Sequence, residues 1–243
     1  MKRLYALLIV ALFATAPSLS AQGNSFYNAT REAEALLREM PTNNYRTLYA
    51  GYNTAHANWR EYGVIGEMMF PIKRGVTLGY LEAINIWKGL PIYVEYGANV
   101  QYLFGAEKLD GVKIMGVVLD TNYKTNIFAL NVPVNASLRL SFEDNLIAVT
   151  PYAGLNARFN IVGKQVISSG DESLETAIFD SSKEKGAAGD SAFNRFQLGL
   201  NLGCSVTYSV YTVGIGHIFD FSKLSDEGRG HLGVTTISLG YSF

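Results

Sequence analysis

The segment from Ile127 to Phe142 alternates strictly between apolar and polar positions. Its even positions are apolar from Phe128 onward, whereas its odd positions carry small polar groups such as Asn131 and a single charge, Arg139. Successive side chains of a β-strand point to opposite faces, so a period of two predicts a strand with one apolar and one polar face.

Seven other segments follow the same pattern, five of them clearly. The clear ones are Pro91–Gly105, Leu146–Val162, Phe193–Tyr208, Val210–Ser222 and Leu232–Phe243, and the weaker ones are Thr47–His56 and Gly75–Ile86. The pattern therefore predicts an all-β fold, an eight-stranded antiparallel up-and-down barrel.

Charge distinguishes the two faces of these strands. The clear strands contain no lysine, and their charged residues are Glu95, Arg139, Arg158, Arg195 and Asp220. A soluble sheet normally carries lysine and glutamate on its wet face. We therefore expect the Gly, Asn, Ser, Thr and Gln face to line a lumen and the apolar face to contact lipid, as in a transmembrane barrel. The alternative is a soluble, lipocalin-like barrel with the two faces reversed.

The N-terminal region has a different composition. Basic residues at positions 2 and 3, an apolar run and small residues up to Ala21 predict a signal peptide over residues 1–21. We expect residues 22–44 to form a linker with an amphipathic periplasmic helix from Asn28 to Met40, and residues 45–243 to form the barrel. The helix either rests against the barrel rim, closes the lumen or contacts a periplasmic partner.

Short and long connections alternate along the chain, which predicts periplasmic turns and termini with extracellular loops. The link from Gly163 to Ala192 has the composition of a mobile, solvated loop, and the apolar stretch from Val112 to Leu119 suggests a hairpin that extends the barrel. Pro133 and Pro151 fall within strands and predict a bulge or a locally opened ladder near one or both of them. Aromatic residues cluster at the strand ends and predict two girdles: Trp87, Phe142, Tyr208, Tyr211, Tyr241 and Phe243 at the turns, and Tyr102, Phe104, Phe128, Phe159, Phe196 and Phe219 toward the loops.

The charged residues predict pairing inside a lumen that side chains fill. Counting from the turns places Glu95 and Arg139 at similar heights, as an interior ion pair. Arg158, Arg195 and Asp220 form a second group nearer the loops. A functional alternative is a charge gate or a narrow ion path. We predict no cofactor and no metal site.

Three histidines provide the only features that suggest catalysis. His56 and His231 lie at the loop ends of the first and last strands, which are neighbours in a closed barrel, and they form a candidate rim site for a lipid-modifying enzyme. His217 interrupts the apolar face of its strand and is interpreted as the marker of a bulge.

Four stretches resemble the outer-membrane β-barrel family common in Bacteroidetes: Leu90–Gly97, Asn131–Val134, Thr150–Leu155 and Leu239–Phe243. The resemblance covers about Thr47 to Phe243. It implies an integral outer-membrane protein whose C-terminal strand, ending at Phe243, is recognised by the barrel-insertion machinery. The family has no shared catalytic residues to transfer.

The chain is therefore expected to be a monomeric outer-membrane barrel with a structural or surface-interaction role, in contact with outer-membrane lipid and lipopolysaccharide. A narrow ion or small-solute channel is the first alternative, and a lipid-modifying enzyme the second. The net charge of −1, with scattered basic residues, argues against a nucleic-acid partner.

Overall fold

The structure is a computed structural model that describes residues 43–59, 71–87, 89–114, 117–142, 146–169, 172–179, 193–224 and 230–243. The predicted signal peptide and the helix from Asn28 to Met40 lie outside these residues. No helix within the described ranges is long and apolar enough to cross a membrane.

Ten strands are described. They are β1 (Tyr45–Trp59), β2 (Arg74–Asn85), β3 (Ile92–Ile114), β4 (Val117–Leu138), β5 (Leu140–Phe142), β6 (Ile147–Ser169), β7 (Glu172–Ala177), β8 (Phe196–Tyr208), β9 (Tyr211–Asp220) and β10 (Gly230–Ser242). All pairings are antiparallel, and β1 joins β10. A second contact, between β4 and β6, closes the sheet. Since β5 continues β4 and β7 pairs with β6 alone, the barrel has eight strands, as predicted.

The two faces of the barrel differ as the alternation predicts. Inward positions are polar and buried in the middle of the wall, for example Asn53, Asn131 and Gln197, each 0 % exposed. Outward positions are large and apolar, for example Leu78 at 55 % and Leu239 at 67 % exposure. A polar interior inside an apolar exterior is the arrangement of a transmembrane barrel and excludes the lipocalin-like alternative.

The two ends of the barrel are built differently. At one end, here called the turn end, β8 and β9 are joined by Ser209 and Val210, and β1 begins beside the C-terminal Phe243. Ser209 has a positive φ of 56°, which a two-residue hairpin requires. The opposite end is the loop end. The predicted aromatic residues face outward at both ends, with exposures from 37 % at Phe104 to 67 % at Tyr211, apart from the less exposed Phe142.

Both strand prolines interrupt the ladder without shifting it. The β3–β4 pairing stops at Tyr96–Val134 and resumes in the same register at Asn99–Asn131, which leaves Pro133 unpaired on that side. The gap between β4 and β5 lies opposite Pro151, and the register on its two sides is again unchanged. Proline has no N–H to donate, so the ladder opens locally. This confirms the opened ladder expected near these residues.

The actual bulges lie elsewhere. The register shifts between Phe128 and Ala129 in the β4–β6 pair, and between Leu109 and Val112 in the β3–β4 pair. The interpretation of His217 as a bulge marker is wrong, because β9 pairs continuously with both neighbours through that residue.

Three strands continue past the loop-end aromatic residues. The hairpin of β3 and β4 extends to the Ile114–Val117 pair, which confirms the expected hairpin. β6 continues to Ser169 and pairs with β7, whose side chains are exposed. The prediction that a mobile, solvated loop begins at Gly163 is therefore wrong in its first part, because β6 and β7 occupy it. Residues 180–192 lie outside the described ranges. The segment of β3, β4, β6 and β7 beyond the aromatic residues is called the extension below.

Candidate functional site: the lumen and the extension

A cluster of buried apolar side chains fills the loop end of the lumen. Leu103, Ile127 and Leu232 contribute from the strands, while Phe193 and Leu224 contribute from the connections; all are at most 3 % exposed. The ring of Phe179 packs edge-on against Phe193, with 6.2 Å between the centroids. This loop-end cluster closes the loop end of the lumen with packed apolar side chains.

A buried ion pair lies next to the cluster. Arg158 of β6 donates to the carboxylate of Asp220 on β9, and both side chains are 0 % exposed. The guanidinium also donates to the side-chain oxygens of Asn131, at 3.1 Å, and Gln197, at 3.5 Å. Bonds to three strands hold the guanidinium in this low-dielectric interior. Arg158 Nη2 and Asp220 Oδ1 are buried without a hydrogen-bond partner among the described residues, so the pair is only partly satisfied.

The amides beside this pair form an ordered ladder along the inner wall of the lumen, from one strand to the next. Asn156 donates to Asn131 at 3.2 Å, Asn131 donates to Asn99 at 2.9 Å, and Thr77 donates to the same Asn99 oxygen. The Arg158 guanidinium fixes the direction of the ladder, because it requires the Asn131 oxygen to face it and turns the Asn131 amide nitrogen toward Asn99. The ladder ties β2, β3, β4 and β6 together through their inward faces.

The turn-end half of the lumen contains a cavity of about 100 Å³, called the turn-end chamber. Three tyrosines, Tyr45, Tyr49 and Tyr152, line it together with Glu95 and Arg139. Since a water molecule needs roughly 10–15 Å³ of such space, the chamber has room for several. The prediction that side chains fill the lumen thus holds at the loop end and fails at the turn end.

Glu95 and Arg139 both line the chamber, but they do not form the predicted direct ion pair. Tyr45 lies between them: its hydroxyl donates to the Glu95 carboxylate, and the Arg139 guanidinium stacks over its ring at 4.3 Å. Tyr45 packs edge-on against Tyr93 as well. Tyr45 was not predicted as a site residue because the predicted first strand began at Thr47. Thr47 faces inward, so extending the same alternation by two residues toward the N-terminus would have placed Tyr45 on the inward face as well.

The second predicted group is only partly assembled. Arg158 and Asp220 pair, whereas Arg195 lies outside the lumen, exposed at the start of β8. Its guanidinium donates to the carbonyl oxygen of Ile161 at 2.9 Å and lies 6.0 Å from the Phe179 ring centroid. Arg195 precedes the first ladder residue of β8, so the alternation that places side chains inside no longer applies to it.

The three histidines lie on the outer wall formed by β9, β10 and β1. His56 is opposite Gly233, and His231 is opposite Asn58. Both histidines alternate with the buried inward positions, which Asn53 marks on β1 and Val234 on β10, so both predicted rim residues face outward. His217 bonds to the Thr235 hydroxyl at 2.7 Å and stacks on Phe219. Neither His56 nor His231 points into the lumen. Among the described residues, no group of three or more His, Cys, Asp or Glu is placed to hold a metal ion.

The extension carries several charged residues. Lys73 pairs with Glu107, and Lys164 of β6 pairs with Glu175 of β7, with 2.6 Å between Nζ and Oε1. The hydrogen bond and charge of Glu175 raise the pKa of Lys164, so this lysine stays cationic over the physiological range. These pairs are exposed to solvent and contribute little to stability.

The chain is similar in fold to several solved outer-membrane proteins. Ail of Yersinia pestis, in complex with the heparin analogue sucrose octasulfate, is 14% identical, with a TM-score of 0.43 and 82% of this chain covering 99% of that one. Neisserial surface protein A is 11% identical, with a TM-score of 0.38 and coverages of 82% and 97%. A major outer membrane protein of Thermus thermophilus is 14% identical, with a TM-score of 0.38 and coverages of 83% and 100%.

No protein-family model matches the chain. No curated protein matches it either.

Proposed function

We propose that the chain is an integral, monomeric outer-membrane barrel that acts at the cell surface through its extension and does not conduct through its lumen. The observation that carries this proposal is the contrast between a lumen closed by the loop-end cluster and the Arg158–Asp220 pair, and strands that continue beyond the membrane-facing wall. The apolar exterior supports a bilayer location, and a strand barrel is the β-structure that satisfies all backbone groups in lipid.

In this proposal both termini and the tight turns are periplasmic, and the extension is extracellular. The C-terminal strand ending at Phe243, with outward Ile237, Leu239 and Tyr241 before it, serves as the signal for the insertion machinery. The motifs from Leu90 to Gly97 and from Leu239 to Phe243 support membership of the barrel family common in Bacteroidetes.

A matched pair of cysteine variants tests the orientation. With the single Cys204 replaced by alanine, Ser173→Cys places a thiol in β7, and Ser209→Cys places one in the β8–β9 turn. A membrane-impermeant maleimide is expected to label the first variant in intact cells and the second only after the outer membrane is disrupted. Labelling of Ser209→Cys alone in intact cells would reverse the proposed orientation.

Single-channel recording tests the closed lumen. The refolded barrel in a planar bilayer is expected to give no steady current, because the loop-end cluster leaves no wet path. A steady current whose ion selectivity changes on Arg139→Ala would favour the narrow-channel alternative, since Arg139 lines the turn-end chamber.

A further inference from the structure

We infer that the turn-end chamber binds one small α-amino acid, such as glycine, in its zwitterionic form. The carboxylate of this ligand contacts the Arg139 guanidinium, and its ammonium group contacts the Glu95 carboxylate. The inference goes beyond the proposed function, because it concerns the lumen and requires neither the extension nor a particular orientation in the membrane.

The chamber is a preformed cavity that is reached from the turn end. The loop-end cluster closes the opposite side. Within the described part of the chain, Tyr45 and Arg139 lie nearest the turn end and are only half-buried, whereas Gln101 and Asn156 are at most 2 % exposed. A cavity of roughly 150 Å³ holds one benzene molecule, so the volume of about 100 Å³ suits a somewhat smaller solute. Glycine is of this size.

Glycines on three strands give two of the tyrosine rings their places beside the cavity. A Cβ atom at Gly203 or Gly216 would collide with the Tyr152 hydroxyl, and a Cβ atom at Gly79 would collide with the Tyr49 ring. Both rings therefore pack against bare backbone, and the cavity that they line stays open without rearrangement. The faces of aromatic rings attract cations, so this lining favours an ammonium group.

The two charges of the chamber lie close together at the Tyr45 ring. The Arg139 guanidinium lies over the ring, and the Tyr45 hydroxyl donates to Glu95, so roughly the length of one tyrosine side chain separates the charges. An α-amino acid spans a similar distance when each end makes a hydrogen bond of about 2.9 Å. Since Glu95 and Arg139 offset each other, the chamber favours a ligand that carries both signs over a net anion or cation.

Both charged groups have hydrogen-bonding capacity for a ligand. Among the described residues, the Arg139 guanidinium stacks on Tyr45 without donating a hydrogen bond. Its planar N–H groups match a carboxylate in a bidentate arrangement. Glu95 is 5 % exposed, and a carboxylate accepts up to about four hydrogen bonds, so it can bind an ammonium group in addition to the Tyr45 hydroxyl.

The chamber is polarised along its length, with donors at the turn end and acceptors farther in. The Arg139 backbone bonds to Pro91, whereas Glu95 and Gln101 follow Pro91 along the same chain, deeper in the lumen. Gln101 Oε1 is buried without a hydrogen-bond partner among the described residues. Acceptors at the inner end attract a cation, so the ammonium group of the ligand points inward and its carboxylate stays at Arg139.

A second buried acceptor at the inner end has a fixed orientation. Arg158 Nε donates to Asn131 Oδ1, and the Asn156 amide nitrogen donates to the same oxygen. The side-chain oxygen of Asn156 is therefore the atom left over, and it has no hydrogen-bond partner among the described residues. An unpaired buried acceptor costs free energy, so the inner chamber favours an occupant that supplies donors.

Equilibrium dialysis of radiolabelled glycine against the refolded full chain in detergent micelles tests the inference. We expect saturable binding of one glycine per barrel. Glu95→Gln and Arg139→Gln each replace a charge-assisted hydrogen bond with a neutral one and are expected to weaken binding on the order of 10-fold. Arg195→Gln is the matched control, because Arg195 is exposed outside the lumen, and it is expected to bind like the wild type.

Two competitors test the need for both charges of the ligand on the wild-type protein. Propionate has a methyl group in place of the ammonium group of glycine, and ethylamine has one in place of the carboxylate. Each is expected to compete on the order of 10-fold less well than unlabelled glycine. Ser205→Leu tests the location, because Ser205 lines the chamber and a leucine there fills it while both charges remain. This variant is expected to lose binding.

Any of four results would overturn the inference. They are the absence of saturable glycine binding, equal affinity of either charge variant and the Arg195→Gln control, equal competition by propionate or ethylamine, and unchanged binding by Ser205→Leu. The shift in gel mobility between heated and unheated samples verifies that each barrel is folded. Where a variant fails to fold, the competition on the wild type still decides, because it needs no substitution.

Discussion

The two halves of the lumen are lined by the same alternating strands, yet they differ in content. At the loop end, inward Leu103 and Ile127 pack against apolar side chains from the connections. At the turn end, inward tyrosines and amides leave a cavity of about 100 Å³. An eight-stranded barrel is just wide enough for side chains to fill, so the size and polarity of the inward residues decide whether a given level is sealed or hollow.

Between the two halves lies a polar layer of buried side chains that bond to one another, although Arg158 Nη2, Asp220 Oδ1 and Asn156 Oδ1 have no hydrogen-bond partner within the described part of the chain. The ladder of Asn156, Asn131 and Asn99 links β6, β4 and β3 along the inner wall, and the pair of Arg158 with Asp220 extends this link to β9. The comparison predicts that stability comes mainly from this layer and from the loop-end cluster. The chamber is expected to tolerate change.

Breaking the buried pair is expected to have the largest effect. Asp220→Ala leaves the Arg158 cation buried without its partner, which costs about 3–5 kcal/mol. Urea unfolding of the refolded barrel, followed by tryptophan fluorescence, measures the loss. The double variant Arg158→Met/Asp220→Leu is the control and is expected to recover most of the stability, because Asn131 keeps its bond from Asn156 and Gln197 keeps its bond from Asn160. A double variant no more stable than Asp220→Ala would contradict this account of the layer.

Removing a cluster side chain is expected to have the next largest effect. Leu103 is 0 % exposed, and Leu103→Ala leaves a hole in packed surroundings at a cost of about 3 kcal/mol. Leu78→Ala makes the same chemical change on the outer wall, where Leu78 is 55 % exposed and mobile lipid fills the space. The same unfolding experiment compares the two variants. Equal losses would mean that the loop-end lumen is not tightly packed.

A chamber substitution is expected to have the smallest effect. Asn201→Ala removes one amide bond, the 3.0 Å contact to Asn135, at a cost of about 1 kcal/mol. The freed Asn135 oxygen lies beside a cavity that has room for water, so it need not stay unpaired. A loss as large as that of Leu103→Ala would show that the chamber is as closely packed as the cluster and would remove the contrast between the two halves.

The face of the barrel wall on which a side chain lies was predictable from the sequence, whereas its hydrogen-bond or ion-pair partner was not. The inward positions of Glu95, Arg139, Arg158 and Asp220 follow from a period of two, which is a local property of each strand. The Arg158–Asp220 pair joins residues 62 positions apart, and the Tyr45 hydroxyl reaches Glu95 across 50 positions. Such partnerships depend on strand register and on the extra residue at the Phe128–Ala129 bulge. Neither can be obtained from one strand alone.

The prediction for Arg195 failed for a related reason. Alternation was extended to the start of the segment at Phe193, but the ladder begins at Phe196. Before the first residue of the strand, side chains need not alternate between the two faces of the sheet. Arg195 is exposed there and donates to the Ile161 carbonyl oxygen. The loop-end cluster was missed because its residues come from strand ends and connections together. The sequence did contain one signal of this cluster: Leu103 and Ile127 are apolar, although they lie on the inward face of strands whose other inward residues are mostly polar.

The sequence by itself determined the eight strands and their lipid-facing and lumen-facing sides, and it predicted that the prolines disturb the ladder, because each depends on neighbouring residues and on backbone chemistry. Only the tertiary structure decided which charges meet, where the lumen is sealed and that the strands continue as an extension. These features depend on register between distant segments, which closure of the barrel imposes on all strands at once.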